Sequence, residues 1–227
     1  MLYTEEMARM NIRTREGKRV FYLGKGDTLT PGARDWLNRE RIPVLPAAEA
    51  KPEEYRLLNG AAPREKPEHM THLHSNVLVM KTHPRIRFRG AMDALEAEIL
   101  LCQLECPGWK KELGEILDLA RQIIRWEVLG EAAKQETLCG LTEAELRSHS
   151  HRPQDFYGQA HFMPEAADGP EVLHLNRCRT AARRAELAAA AAFTDENGNC
   201  TRLDLLRLLN RMSSMIYILM IRQKGGK

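Results

Sequence analysis

The chain has 227 residues, 43% of them hydrophobic and 29% charged, with a formal net charge of +3. That length suits one domain with a small appendage, and the apolar fraction is enough for a sizeable core without disulfides or metal. So small a net charge excludes a global field that would drive the protein onto nucleic acid or membrane; charge acts here only where arginines cluster.

The first ten residues are polar, with Glu5, Glu6 and Arg9, which is unlike a secretory signal. Strand character over 19–23 is followed by the turn Gly24-Lys25-Gly26-Asp27. Thr30-Pro31 opens a short helix carrying Ala33, Trp36 and Leu37 at helical spacing, and a second strand is expected over 42–45. Residues 1–46 therefore read as a small βα unit. The stretch 47–69, with Pro52, Pro63 and Pro67 among charged residues, reads as a linker.

Residues 70–227 read as a mainly α domain. From Phe88 onward the pattern is helical, uninterrupted over 91–104 until Pro107. Over 109–133, Leu113, Ile116, Leu117, Ala120, Ile123, Ile124 and Val128 form an i, i+3, i+4 stripe. Thr142 and Glu145 predict a capping box for a short helix. An irregular loop is expected from Pro153 to Gly169, and Pro170 opens a long helix reaching about Phe193. After the turn Asn197-Gly198-Asn199, a last helix spans 202–222, with Leu205, Leu209, Met212, Met215, Ile216 and Leu219 available to the core. The expected fold is a five-helix bundle with a small N-terminal βα appendage. Its longest C-terminal apolar run, 215–221, is far below the roughly 20 residues that span a bilayer. Five scattered cysteines suit reduced thiols in a cytoplasmic protein.

Three motifs carry chemistry. Arg179, Arg183 and Glu186 fall at i, i+4 and i+7 on one helix face, with Arg184 beside them. Guanidinium forks in a row suit phosphate oxygens, although the same row also reads as a solvated face with an internal Arg–Glu pair. Asn210 lies in an apolar helix, where its amide needs a partner, either another helix or a ligand; Arg211 beside it is expected in solvent. Thr71, His72, Lys81, Arg85 and Asp93 lie on a polar loop entering a helix, a setting that favours polyphosphate. Asp93 either complements the helix dipole or pairs with a distant arginine.

Taken in order, Lys81…Pro84-Arg85…Gly90-Ala91-Met92-Asp93, Cys178-Arg179…Arg183-Arg184-Ala185-Glu186 and Leu209-Asn210-Arg211-Met212-Ser213 resemble the blocks of the ATP:cob(I)alamin adenosyltransferases. Thr30-Pro31-Gly32-Ala33-Arg34, Thr71-His72-Leu73, Phe88-Arg89-Gly90 and Ser213-Ser214 are similar to the ethanolamine-utilisation branch. The resemblance covers nearly the whole chain. It implies a helical-bundle enzyme that transfers the 5′-deoxyadenosyl group of ATP, with Mg²⁺, to the cobalt of reduced cobalamin. It also implies a homo-oligomer, a trimer before a dimer, with the site at the subunit interface. By motif, Thr71, Lys81 and Arg85 would hold phosphates, with His72 alongside. Arg183, Arg184, Glu186 and Asn210 would hold the nucleotide, and Asp93 with Arg179 would pair between subunits. The product would pass to ethanolamine ammonia-lyase or its reactivase, in the cytoplasm or at a bacterial microcompartment.

The family places a bulky apolar side chain under the corrin just before a Leu-Pro step. Here the segment reads His161-Phe162-Met163-Pro164; alignment on the proline puts His161 in that place, while Phe162 is the preferred displacing group because a histidine can itself ligate cobalt. Two departures stand out. Ser214 replaces an aspartate of simpler members, and no Cys-Cys-x-x-Cys cluster precedes Thr71. Without nearby cysteines, His69, His72 and His74 are not assigned a metal, and Cys102 and Cys106, one turn apart, read as core. Gly24-Lys25-Gly26-Asp27-Thr28 mimics a phosphate loop but reads as a plain turn. The alternative function is a non-catalytic helical protein that docks onto a metabolosome, which would show no ATP-dependent thermal shift.

Overall fold

The computed structural model describes residues 1–15, 17–47 and 55–226. It divides into Met1–His83 and Pro84–Lys227. The expected boundaries, 1–46, 47–69 and 70–227, differ from this division because residues 56–80 build a sheet of their own. Part of the expected linker, 48–54, lies outside the described residues.

In the first unit, β1 (Leu2–Tyr3) precedes α1 (Glu5–Met10), a helix too short and polar to show in the sequence pattern, capped by the Thr4 hydroxyl. β2 (Ile12–Arg15), β3 (Lys18–Leu23) and β5 (Val44–Pro46) form a three-stranded sheet, antiparallel between β2 and β3 and parallel between β3 and β5. Between β3 and β5 lie β4 (Thr28–Leu29), which pairs with β1, and α2 (Pro31–Arg39). As expected, Thr30 caps α2 and Pro31 opens it, and Ala33, Trp36 and Leu37 face a core with Phe21 and Ile42. The turn Gly24–Asp27 holds no phosphate-type helix N-terminus; Asp27 instead pairs with the Met1 ammonium at 2.5 Å. β6 (Arg56–Leu57), β7 (Met70–His74) and β8 (Val77–Met80) complete the unit, with β7 and β8 a tight hairpin.

The second unit is the expected bundle. Its long helices are α3 (Pro84–Glu105), α4 (Lys110–Leu129), α7 (Pro170–Phe193) and α8 (Leu203–Lys224). α3 begins four residues before the helical pattern at Phe88, because Pro84 suits a first turn. α4 ends at Leu129 rather than 133: Gly130, at φ 68°, takes the left-handed cap that stops it. β9 (Thr137–Leu138) and β10 (Leu141–Thr142) form a hairpin into α5 (Glu143–His151), whose Thr142–Glu145 capping box is complete. α6 (Pro153–Tyr157) is one turn within the expected irregular loop.

α7 lies between α3 and α8, with α4 against α3 and α5 against α8. Small residues make this possible: Ala181, Ala182, Ala185 and Ala189 of α7 are all buried, so neighbouring backbones approach closely. Leucine and isoleucine from the partners fill the remaining volume, including Leu95, Ile99, Leu113, Ile116, Leu209 and Ile216.

Candidate functional site

The arginine row lies along α7 as its spacing predicts. Arg183 and Arg184 are exposed, with no ion-pair partner among the described residues. Arg179 is half-buried and donates from Nε and Nη2 to Asn176 Oδ1 at 3.2 and 2.9 Å. Burial, and then the neighbouring Arg183 charge, pull its guanidinium below the usual arginine range. Like charges crowded this way are relieved by an incoming anion. One turn beyond Arg183, Glu186 accepts from Asn210 Nδ2 of α8 at 2.8 Å, so the amide in the apolar helix is satisfied across the helix pair.

Arg211 departs from its expected solvent position. It is half-buried; its Nη2 donates to Asn210 Oδ1, and its Nε and Nη1 are buried without protein partners. Arg211 also lines a cavity of about 30 Å³, with Leu119, Leu146 and Leu208 on its apolar side and Glu136 and Glu143 on its polar side. Ser214, one turn past Asn210, donates to the Asn210 carbonyl at 3.1 Å.

A second cluster joins α8 to the loop after α6. Gly158, at φ 66°, turns the chain out of α6 and sends 159–165 back toward α8. There His161 stacks on Tyr217, with ring centroids 5.7 Å apart. Its Nδ1 lies 2.8 Å from Tyr217 Oη and its Nε2 3.1 Å from the His151 carbonyl. Arg179 also lies over the Tyr217 ring, its Cζ 6.0 Å from the centroid. Phe162 packs against the bundle core, and Lys224 Nζ lies 4.2 Å above its ring while pairing with Asp168 at 2.7 Å. Tyr217 thus bridges the cationic row and the His161–Phe162 segment, and nothing in the sequence pattern singled it out. A polar ring at an inward-facing helical position was the available signal.

The start of α3 holds a carboxylate that sequence reasoning also missed. Glu127 of α4 is buried, and accepts from Arg85 Nε at 2.5 Å and from Arg89 Nε at 2.7 Å. Arg85 also donates to the Glu127 carbonyl at 3.1 Å and lies over Phe193. Arg85, expected on phosphate, is therefore engaged within the bundle. Asp93, two turns along α3, is exposed and has no partner in its own chain among the described residues.

In the first unit, the expected polar loop is a hairpin. Thr71 and His72 are half-buried on β7, opposite Val79 and Leu78, with the His72 ring 5.9 Å from Tyr55. Lys81 follows β8 and pairs with Glu68 at 2.9 Å on the surface. A bulge between His72 and His74 breaks the strand alternation.

The cysteines are packed thiols. Cys102 and Cys106 lie 3.8 Å apart. The Cys106 contact pulls the Cys102 thiol down, but Cys178 and burial outweigh it and push it up to about 12. Burial pushes the Cys139 thiol up to about 12 as well. Thiols this far up carry almost no thiolate at neutral pH.

A bundle whose arginine helix faces an Asn-bearing helix, beside an aromatic loop, agrees with the resemblance drawn from the motifs. The sequence model of the cobalamin adenosyltransferase family matches residues 61–223. The chain belongs to that family. It is 30% identical to the corrinoid adenosyltransferase EutT of Salmonella typhimurium, over 96% of this chain and 90% of that protein. It is 29% identical to the corrinoid adenosyltransferase EutT of Escherichia coli K12, over the same shares. Against the corrinoid adenosyltransferase PduO of Salmonella typhimurium it is 28% identical over 66% of this chain and 45% of that protein. Among cobalamin adenosyltransferases, then, this chain shares with the EutT proteins most of residues 1–60, which precede the family match.

Proposed function

We propose that this chain transfers the 5′-deoxyadenosyl group of ATP to the cobalt of a reduced corrinoid, making adenosylcobalamin and releasing the phosphate chain. The observation that carries the reading is the row Arg179, Arg183, Arg184 on α7, ending in the Glu186–Asn210 pair, in a member of the cobalamin adenosyltransferase family. Reduced Co(I) is the nucleophile at the 5′ carbon of ATP, and negative charge grows on the departing phosphates. Fixed guanidinium groups facing that charge lower the barrier without reorganising, and Mg²⁺ supplies further neutralisation when bound with the nucleotide. In this reading Arg183 and Arg184 meet the phosphates, Glu186 and Asn210 orient the nucleoside, and Thr71, His72 and Lys81 of a neighbouring subunit hold the phosphate tail. Arg85 reaches a phosphate only by releasing Glu127, so its part is first to fix the start of α3. Phe162 excludes a lower ligand from cobalt, which eases reduction to Co(I).

The site is completed by a second copy of the chain, in a trimer before a dimer, through Asp93 of one subunit and Arg179 of the next. The outer face of α3 supports this: Ala94, Ala97, Leu100, Leu101 and Leu104 are exposed along one stripe with Asp93, so the helix is apolar on both sides. An exposed apolar stripe of this length on a helix marks a surface for another chain to cover. The product would serve ethanolamine ammonia-lyase, directly or through its reactivase, in the cytoplasm or beside a microcompartment.

The deciding experiment follows adenosylation spectroscopically with ATP, Mg²⁺, a reductant and cob(II)alamin. Wild type should form the adenosylated product. Arg183→Ala should lose turnover by at least a hundredfold, on the order of the loss seen when one charge-stabilising donor is removed, with the helical circular dichroism unchanged. Normal turnover by that variant at saturating ATP would remove the arginine row from the mechanism.

A further inference from the structure

The segment that faces the corrinoid in this reading offers two side chains with opposite consequences. Phe162 can only exclude a ligand from cobalt. His161, its neighbour, carries an imidazole lone pair, and an imidazole nitrogen is a good ligand for cobalt. A histidine bound beneath the corrin would stabilise the oxidised states and oppose formation of Co(I). The structure answers the conflict at Tyr217. The His151 carbonyl can only accept, so the His161 Nε2 at 3.1 Å is a donor and carries the proton. In the neutral ring Nδ1 is then the acceptor, and Tyr217 Oη, 2.8 Å away, donates to it. The backbone N–H of Phe162 lies near enough to the same phenol to pull against the effect of burial on its acidity. Ring stacking at an interplanar angle of 13° fixes the imidazole plane as well.

We propose that Tyr217 is a positioning residue that masks the His161 lone pair, keeping histidine off cobalt so that Phe162 alone faces the lower side of the corrin. This rests on the adenosyl-transfer reading and adds to it a specific ligand that the protein must suppress. Burial pushes the Tyr217 phenol up from its ordinary value, against the opposing pulls of the Phe162 N–H and Arg179, so the hydroxyl remains a proton donor at neutral pH. Removing only that hydroxyl, by Tyr217→Phe, keeps the ring and its stacking but leaves Nδ1 without a donor.

The test uses the full-length protein with cob(II)inamide, a corrinoid that lacks its own nucleotide base, and reads electron paramagnetic resonance. A single nitrogen ligand, with a nuclear spin of one, splits each cobalt line into three. Wild type should show no such splitting, Tyr217→Phe should show it, and Tyr217→Phe/His161→Ala should lose it again. In parallel, Tyr217→Phe should slow adenosylation from cob(II)alamin at least tenfold, and the added His161→Ala should restore most of the rate. The proposal is overturned if wild type already shows the splitting, if Tyr217→Phe does not, or if splitting survives in the double variant. It is overturned equally if Tyr217→Phe no longer binds the corrinoid, because the proposal gives the hydroxyl no part in binding. Failure of wild type itself to bind or adenosylate a corrinoid is a different result, and would sink the adenosyl-transfer reading.

Discussion

Glu127 is a carboxylate with almost no exposure, balanced by two arginines that keep about a fifth to a quarter of their side-chain surface. Its charge is tolerable only because both oxygens are held by Arg85 and Arg89, which ties the start of α3 to the end of α4. Glu127→Ala should cost about 3–5 kcal/mol, the usual cost of breaking a buried pair, measured by urea denaturation. A loss below about 1 kcal/mol would mean the arginines find water easily, and the carboxylate does not organise the bundle. Asp168 makes a weaker, pH-sensitive tie. The Lys224 hydrogen bond, then the Glu165 N–H, hold its carboxyl below the ordinary aspartate range. A depressed folded value means the tie is complete above the ordinary aspartate range and is lost as pH falls through the depressed value. Lys224→Met should weaken that dependence in the loop carrying Phe162, leaving only the Glu165 N–H bond, seen as faster amide exchange there even at neutral pH. None of these pairings was legible in the sequence. Glu127 follows Trp126 in an amphipathic stripe and looks like an ordinary polar position, and only the fold brings α3 arginines onto it. The Arg179–Arg183–Glu186 face, by contrast, followed from helical spacing alone.

At the level of elements, punctuation residues made the bundle readable. Pro170 opens α7 at its observed first residue, and Asp195 folds the Asn197–Asn199 turn by accepting from both backbone amides at 2.9 and 2.8 Å. The Thr142–Glu145 capping box was visible as a T-x-x-E pattern and is reciprocal in the structure. Thr142→Ala should therefore cost about 1 kcal/mol and lower Tm by about 2–4 °C in calorimetry. An unchanged Tm would mean that packing of Leu146, not the cap, sets the start of α5. Short elements escaped for the complementary reason. α1 has six residues and β6 two, so periodicity has nothing to repeat, and their stability comes from partners distant in sequence. The β7–β8 hairpin reads as a loop in the sequence because its strand residues include Thr71, His72 and His74, and only Leu73, Leu78 and Val79 are buried. The charge of Arg211 alone points it to solvent. Its position on α8 brings it to a small cavity instead, where Leu119 and Leu208 suit its long stem and Glu136 and Glu143 also line the wall.

For the molecule as a whole, the exposed apolar stripe of α3 and the charges at Asp93, Arg183 and Arg184, which have no ion-pair partner among the described residues, are what the proposed shared site rests on. If each site takes Asp93 from one subunit and Arg183 from the next, Asp93→Asn and Arg183→Ala should each be inactive as pure oligomers. Mixed by co-expression, they should recover activity, because an interface joining the intact Arg183 of the first variant to the intact Asp93 of the second is whole. Random assembly at equal amounts makes about a quarter of the interfaces whole, so mixed oligomers should reach about a quarter of the wild-type rate. Light scattering on the same samples shows whether the mixed species has the size of the wild-type oligomer. Full-size mixed oligomers without recovered turnover would place both residues in a site built by a single chain, and the exposed leucines of α3 would then need another partner. Leu101→Glu separates these outcomes independently: a charge in the stripe should dissociate a self-assembled interface and remove turnover with it, while leaving the fold of a self-sufficient chain active.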